Sequence, residues 1–357
     1  MIMRKLVLAL AGGAVLMAAP TKVGFVYLTP VGDTGWTYEH DQGRKEMEAA
    51  FKGQVVTQVV DNVPENADAE RVIRQLAKDG CKVIFTTSFG YMNQTLKVAA
   101  SFPDVDFLHC TGYKTARNAG IYNARFYEAR YLCGVVAGKM TRTHMAGFVG
   151  AFPIPEAMQA INAFTLGMRS VDPKAEVRVI WVNSWFDPGK EREAAMALMV
   201  QGADMITHHT DSPAVVQAVE EKHKERNVWS LSEYSDMSKY GPNSQLTGDV
   251  HVWGKYYTRA VKEAMAGRWP APPNVWGGMK DGMIKLAPLN KAVPAEVKAL
   301  VGRLEKDIIS GKLHPFAGPV LAQDGTLKVA AGKFMTDEDM GSMNYFVKGV
   351  NSNLPKE

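Results

Sequence analysis

Six short stretches of the chain gather the side chains that could do chemistry. They are Thr29-Pro30-Val31-Gly32-Asp33-Thr34-Gly35-Trp36-Thr37-Tyr38, Thr86-Thr87-Ser88-Phe89-Gly90-Tyr91, Phe152-Pro153-Ile154-Pro155-Glu156, Ser184-Trp185-Phe186-Asp187-Pro188, His208-His209-Thr210-Asp211-Ser212 and Glu233-Tyr234-Ser235-Asp236-Met237. A tryptophan between glycines and threonines is costly to leave in water, and the Gly-rich setting of Trp36 offers little core to pack against. Trp36 is therefore expected to face a ligand. Phe89 and Trp185 are candidates for the same role, with packing on the edge of their own domain as the alternative. Asp211 and Asp236 are further candidates, although an Asp just before Ser212-Pro213 also suits a helix cap.

Signatures of catalysis are incomplete. Residues 86–90 carry the Ser and the second Gly of a nucleophile elbow but lack the first Gly. His208 and His209 are adjacent and point in different directions, and no H-E-x-x-H accompanies them, so no metal site is expected. Neither a G-x-x-x-x-G-K phosphate loop nor a G-x-G-x-x-G fingerprint occurs, and no cofactor is expected. The reading is a protein that is not an enzyme. Its rival is a periplasmic nucleoside hydrolase using Asp211 or Asp236 as general base, which requires a carboxylate of raised pKa within reach of a water.

The elements that must position these stretches come from an internal repeat. Lys22-Val23-Gly24-Phe25-Val26-Tyr27 is echoed by Met145-Ala146-Gly147-Phe148-Val149-Gly150, an offset of 123 from Gly24 to Gly147. Residues 76–86 are echoed by residues 198–208 at an offset of 122, from Gly80 to Gly202. In both copies a helix ends on a glycine suited to the left-handed position, and a short apolar strand follows. Helices are expected at 38–51, 65–78, 91–101, 128–142, 156–171, 188–201, 213–224, 253–266 and 295–310. Further strands are expected at 55–60, 105–110, 178–183, 228–231 and 245–248. This alternation predicts an α/β protein with two similar parallel sheets, each covered by helices on both faces. In such sheets ligands bind beyond the carboxyl ends of the strands, where the six stretches fall. The segment from Lys312 onward, with its Asp324-Gly325 turn signal, is expected to wrap the surface around a short hairpin.

A chain of 357 residues suggests two domains. With 46% hydrophobic and 22% charged residues, it is neither mostly disordered nor a polytopic membrane protein. The net charge of +4 comes with no long basic run and gives no reason to expect nucleic acid. Cys81, Cys110 and Cys133 form no C-x-x-C pair and are expected to be small core residues. Arg4 and Lys5 precede an apolar run over residues 6–17 and then Ala18 and Ala19, the pattern of an export signal occupying residues 1–21. No Cys follows Ala19, so a free secreted form is expected rather than a lipoprotein.

Taken together, several motifs resemble the basic membrane protein family, also called PnrA-like or Med-like, of ABC importer substrate-binding proteins. They are Gly32-Asp33-Thr34-Gly35-Trp36, Phe126-Tyr127-Glu128-Ala129, Gly147-Phe148-Val149-Gly150, Trp185-Phe186-Asp187-Pro188, Gln201-Gly202-Ala203-Asp204, Tyr234-Ser235-Asp236-Met237 and Pro315-Phe316-Ala317-Gly318-Pro319. The resemblance implies a type I periplasmic binding protein, two Rossmann-like lobes joined by a three-crossing hinge. The lobes are expected at 22–124 plus 250–282 and at 125–249 plus 283–357. It further implies a purine nucleobase or nucleoside, adenine-like or guanine-like, in the cleft, a sugar being the alternative within the same fold. Trp36 takes the family's base-stacking place, with Gly35-Trp36-Thr37 where the family usually has Ser-Phe-Asn. Of the family's acidic pair only Asp236 remains, Tyr234 standing at the other position, which leans toward a bare base. Thr87, Tyr38, His209, Asp211 and Asp236 are the candidates to read the ring edge. A periplasmic location, an inner-membrane permease as partner and a monomeric state complete these expectations.

Overall fold

The computed structural model describes residues 19–268 and 274–355. All but the last three residues of the expected export segment lie outside them. The first part of the chain runs β1 (Thr21–Val26), α1 (Trp36–Ala50), β2 (Val55–Val60), α2 (Ala67–Lys78), β3 (Val83–Thr86), α3 (Met92–Ala99), β4 (Asp106–Cys110) and β5 (Ala119–Ala124). The second part runs α4 (Tyr127–Met140), β6 (Met145–Gly150), α5 (Pro155–Val171), β7 (Glu176–Trp181), α6 (Pro188–Val200), β8 (Met205–His209), α7 (Ala214–Arg226), β9 (Trp229–Ser232) and β10 (Gln245–His251). There follow α8 (Gly254–Met265), β11 (Asn274–Gly277), β12 (Ile284–Leu286), α9 (Ala295–Ile309), the hairpin β13 (Val320–Leu321) and β14 (Leu327–Val329), and α10 (Asp337–Gly341).

Two six-stranded sheets result, in the orders β11-β5-β4-β3-β1-β2 and β12-β10-β9-β8-β6-β7. Every pairing in them is parallel except that of β12 with β10. The two halves are thus the same β-α-β design, and the equivalence extends to single hydrogen bonds. At the end of α2, Gly80 has φ 88°, its N–H donates to the Ala77 carbonyl at 3.2 Å, and the Cys81 N–H donates to Leu76 at 3.1 Å. At the end of α6, Gly202 has φ 101°, its N–H donates to Met199 at 3.2 Å, and the Ala203 N–H donates to Leu198 at 3.1 Å. Glycine enters this left-handed conformation without a Cβ penalty, satisfies two orphan carbonyls and turns the chain straight into β3 and β8. The N-termini are capped locally as well. Asn66 accepts from the Asp68 N–H, and Asp187, preceding Pro188, accepts from the Lys190 N–H.

The chain passes between the sheets three times: from β5 to α4, from β10 to α8, which packs on α1, and from β11 to β12. The strands β5, β11 and β12 carried no alternating pattern. β5 is buried along its whole length, and the other two are edge strands of three or four residues at these passages. The segment after Lys312 is more than a surface wrap. Phe316, Phe346, Val347 and Val350 are buried, and residues 349–352 hydrogen-bond along β7, covering an edge of the second sheet. The expected hairpin is present within it, turning at Asp324-Gly325. Among the described residues no helix is long and apolar enough to cross a membrane.

Candidate functional site

The carboxyl ends of β1, β3 and β4 in one sheet face those of β6, β7, β8 and β9 in the other, and the loops they release enclose a cleft. Its inner part is lined by Leu28, Trp36, Ser88, Phe89 and Thr111 from the first half. Glu156, Trp185, Asp211 and Tyr234 line it from the second half. Trp36, Phe89, Thr111 and Glu156 also border a wider cavity beside the interlobe passages, where Asn123, Phe126, Gln159, His251 and Trp253 join them.

Trp36 opens α1 and is held at three points. Its backbone N–H donates to the Asp211 carboxylate, its indole Nε1 donates to the Thr87 carbonyl at 2.6 Å, and its ring meets those of His40, Tyr234, His251 and Trp253 edge-on. Among the described residues no protein ring lies parallel to it. Gly35 precedes it at φ 88°, and a Cβ there would fall 2.3 Å from Asp211, so only glycine lets the Asp211 carboxylate reach the helix end. Asp211 also accepts from Thr29 Oγ1 at 2.8 Å. Burial pushes its carboxyl up to about 7, against the lowering effect of the Thr29 and Trp36 hydrogen bonds.

Other bonds draw the same loop to the second half. Ser235 Oγ accepts from the Gly35 N–H at 2.7 Å and lies 2.6 Å from Thr34 Oγ1, while Lys239 and Tyr240 reach Asp33, each at 2.5 Å. Across the cleft, Trp185 Nε1 donates to Glu65 Oε2 at 3.1 Å. Glu65 in turn accepts from Ser88 Oγ at 2.5 Å and from the Gly90 N–H at 2.8 Å. The lobes are closed on one another.

Tyr234 sits at φ 67°, a left-handed conformation costly for a tyrosine, and is held there from two sides. Its N–H points to Asp249 Oδ2 at 3.4 Å, and its carbonyl accepts from the His251 N–H at 2.9 Å. Behind it, the fully buried Arg130 contacts Asp249 at 3.1 Å and Glu233 at 3.3 Å. Its guanidinium also donates to Thr207 Oγ1 and to the Ser232 carbonyl, and it lies 5.5 Å from the rings of Phe148 and Phe164.

His209, at the end of β8, is buried with neither ring nitrogen hydrogen-bonded, and its ring touches those of Trp185 and Tyr234. Burial, and then the Arg130 charge, lower its pKa to about 3, so it is neutral. Its Nε2 lies 4.0 Å from Glu156 Oε1. Burial, then the negative charge of Glu65, raise the Glu156 carboxyl to about 8.

The structure therefore brings Trp36, Phe89, Trp185, Asp211 and Tyr234 together, with His209 directly behind. Three further candidates stand outside the two cavities. Tyr38 is half-buried and outside both cavities: two residues along a helix turn it about 200° from Trp36, whereas His40, one turn on, packs on the tryptophan at 4.5 Å. Thr87 lines neither cavity, its carbonyl holding Trp36 and its hydroxyl donating to the Val26 carbonyl at 3.0 Å. Asp236 is exposed, accepting from the Ser238 N–H at 2.9 Å and from Gln245 Nε2 at 3.0 Å. Sequence reasoning missed Glu65 and Glu156. Glu156 stands directly after Pro155, where an acidic residue reads as an ordinary first-turn helix residue, and Glu65 reads as one charge of a solvated helix face. Among the described residues no cluster of three His, Cys, Asp or Glu side chains could hold a metal ion, and the three cysteines are buried and free.

Two like lobes with a cleft between the carboxyl ends of their strands define the type I periplasmic binding protein fold. The chain matches over residues 20–314 the model of the Bmp family, ABC transporter substrate-binding proteins of PnrA-like type, and it belongs to that family. It is 50% identical over 345 residues, 97% of each chain, to a purine-binding protein of Brucella abortus. It is 36% identical to a Haloferax volcanii protein provisionally named an ABC transporter glucose-binding protein, over 96% of this chain and 84% of that one. An ABC transporter system solute-binding protein of Aeropyrum pernix K1 superposes with a TM-score of 0.70 at 17% identity, covering 83% of this chain and 93% of its own, a likeness of fold. As a member of this family the chain is a non-enzymatic solute receptor.

Proposed function

We propose that this receptor binds a purine, as base or nucleoside, in the interlobe cleft and delivers it to an ABC permease. The observation that carries the reading is an inner cleft walled by Trp36, Phe89, Trp185 and Tyr234, in which no protein ring of the described residues occupies the parallel position against Trp36. A flat heteroaromatic ring suits that position, stacking being worth roughly 1 to 3 kcal/mol per base. The 50% identical relative is named as a purine-binding protein. With Tyr234 at one position of the family's acidic pair and Asp236, at the other, exposed to solvent, the reading leans toward a bare base.

In this reading residues 22–124 with 250–282 and residues 125–249 with 283–357 are the two lobes, closing about the three passages. The protein acts as a monomer in the periplasm after removal of residues 1–21. The provisional name of the 36% identical relative favours a second reading, a sugar ligand. Calorimetric titration of ligand-stripped protein with adenine, guanine, hypoxanthine, their nucleosides and a panel of hexoses separates the two. Micromolar or tighter binding of a purine is expected; tight binding of a hexose without any purine overturns the proposal.

A further inference from the structure

We propose that Glu156 reads the purine edge in this cleft, taking an edge that offers an N–H beside a lone-pair atom in preference to the paired N–H donors of guanine. The inference rests on the purine reading above and assigns the source of its selectivity.

Several polar groups of the cleft wall are already engaged within the protein. Glu65 is occupied by Ser88, the Gly90 N–H and Trp185; Asp211 by Trp36 and Thr29; the Thr111 hydroxyl by the Cys110 carbonyl. Among the described residues the Glu156 carboxyl has no hydrogen-bond partner, and His209 Nε2 lies 4.0 Å from its Oε1. His209 is itself fully buried with both ring nitrogens unpartnered. Glu156, partly buried with its side chain 13% exposed, and the fully buried His209 are thus polar groups beside the aromatic wall that lack a protein partner, a condition that calls for a partner from the ligand.

The protonation state decides which partner. Among the described residues no Lys or Arg lines the inner cleft to compensate a charge on Glu156. Glu65 faces it from before α2, Cys110 from the end of β4, the neutral His209 from the end of β8, and Glu233 and Tyr234 from after β9; Asp211 lines the same wall, and the Arg130 charge is engaged by Glu233 and Asp249 behind. A carboxyl among other carboxyls in an apolar box is held neutral, in line with its pKa of about 8. A neutral carboxyl presents one O–H donor and one carbonyl acceptor side by side. Adenine answers with its 6-amino N–H and N7 or N1, and hypoxanthine with N1–H and O6. Guanine could pair in the second way only by leaving its 2-amino group without a partner in the aromatic box. Its best edge, N1–H beside the 2-amino group, matches an ionised carboxylate instead.

The experiment is calorimetric titration of the wild type, Glu156→Gln and Glu156→Ala with adenine and guanine between about pH 6 and pH 9. Gln copies the neutral acid, one N–H donor beside one carbonyl, so Glu156→Gln is expected to keep adenine affinity, whereas Glu156→Ala loses about 5- to 150-fold. Wild-type adenine affinity is expected to fall as pH rises through about 8, approaching tenfold per unit above it, while guanine affinity rises. In Glu156→Gln that component vanishes, and any response left belongs to Asp211 or other groups. Loss of adenine binding in Glu156→Gln as large as in Glu156→Ala, or guanine bound more tightly than adenine at pH 7, overturns the proposal and leaves the purine reading intact. Failure of the wild type to bind any purine overturns both.

Discussion

The Asp211 carboxylate, just beyond β8, caps α1 by accepting the backbone N–H of Trp36, 175 residues earlier in the chain and on the opposite side of the cleft. A helix that positions the principal aromatic wall is thus completed only when the two halves meet, which ties lobe closure to the placing of Trp36. Asp211→Ala removes the cap and the Thr29 contact. The closed form is expected to lose about 0.5 to 2 kcal/mol, read as a weakening of ligand binding of about 2- to 30-fold. Asp211→Asn keeps a capping oxygen and is expected to keep most of the affinity. Equal losses in the two variants would refute a capping role.

Trp36→Ala is expected to weaken purine binding by about 1 to 3 kcal/mol, and Trp36→Phe by less, since a smaller flat ring remains. Calorimetry supplies the comparison, and unchanged affinity in Trp36→Ala would remove the tryptophan from the binding surface.

Arg130 is fully buried with Glu233 and Asp249, so deleting its charge strands two carboxyls in the interior. Arg130→Met is expected to lower stability by about 3 to 5 kcal/mol in chemical denaturation. Adding Glu233→Gln and Asp249→Asn is expected to recover part of that loss. A triple variant no more stable than the single one would mean that packing against Phe148 and Phe164, rather than charge, carries the effect.

Stability should also depend on pH. Burial raises Glu39 and Glu156 to about 8 and Glu128 and Asp211 to about 7. The folded protein then holds protons that the unfolded chain releases, and stability falls as pH rises through these values. Burial acts oppositely on histidines: His109 and His209 go down to about 3, His208 to about 4, and His40 well below its ordinary value. Their neutral forms favour folding above about pH 6.5 and oppose it as pH drops below. Thermal unfolding is therefore expected at higher temperature near pH 6.5 than near pH 8.5, without a further steep gain on acidification. A melting temperature that rises steadily to pH 8.5 would contradict the buried-acid account.

What the sequence determined by itself is what depends on neighbours a few residues away. The Gly80 and Gly202 helix ends, the Asp187-Pro188 helix start and the apolar strands after them are local events, legible in order and spacing. They suffice for two copies of an α/β unit and for naming the loops that meet. Helix periodicity would even have favoured His40 over Tyr38 as the neighbour of Trp36, had the helix start been known. That start was not local, because its cap comes from Asp211 in the other half. The exchange of Asp236 for Glu156 has the same origin. Asp236 lies in the loop after β9 and Glu156 in the first turn of α5, both shortly after strands, and no spacing separates one that turns outward onto Ser238 and Gln245 from one that faces a closed cleft. Burial, the company of other carboxyls and the lack of a cation arise only when two sheets bring distant loops together, so the chemistry of the cleft belongs to the tertiary structure.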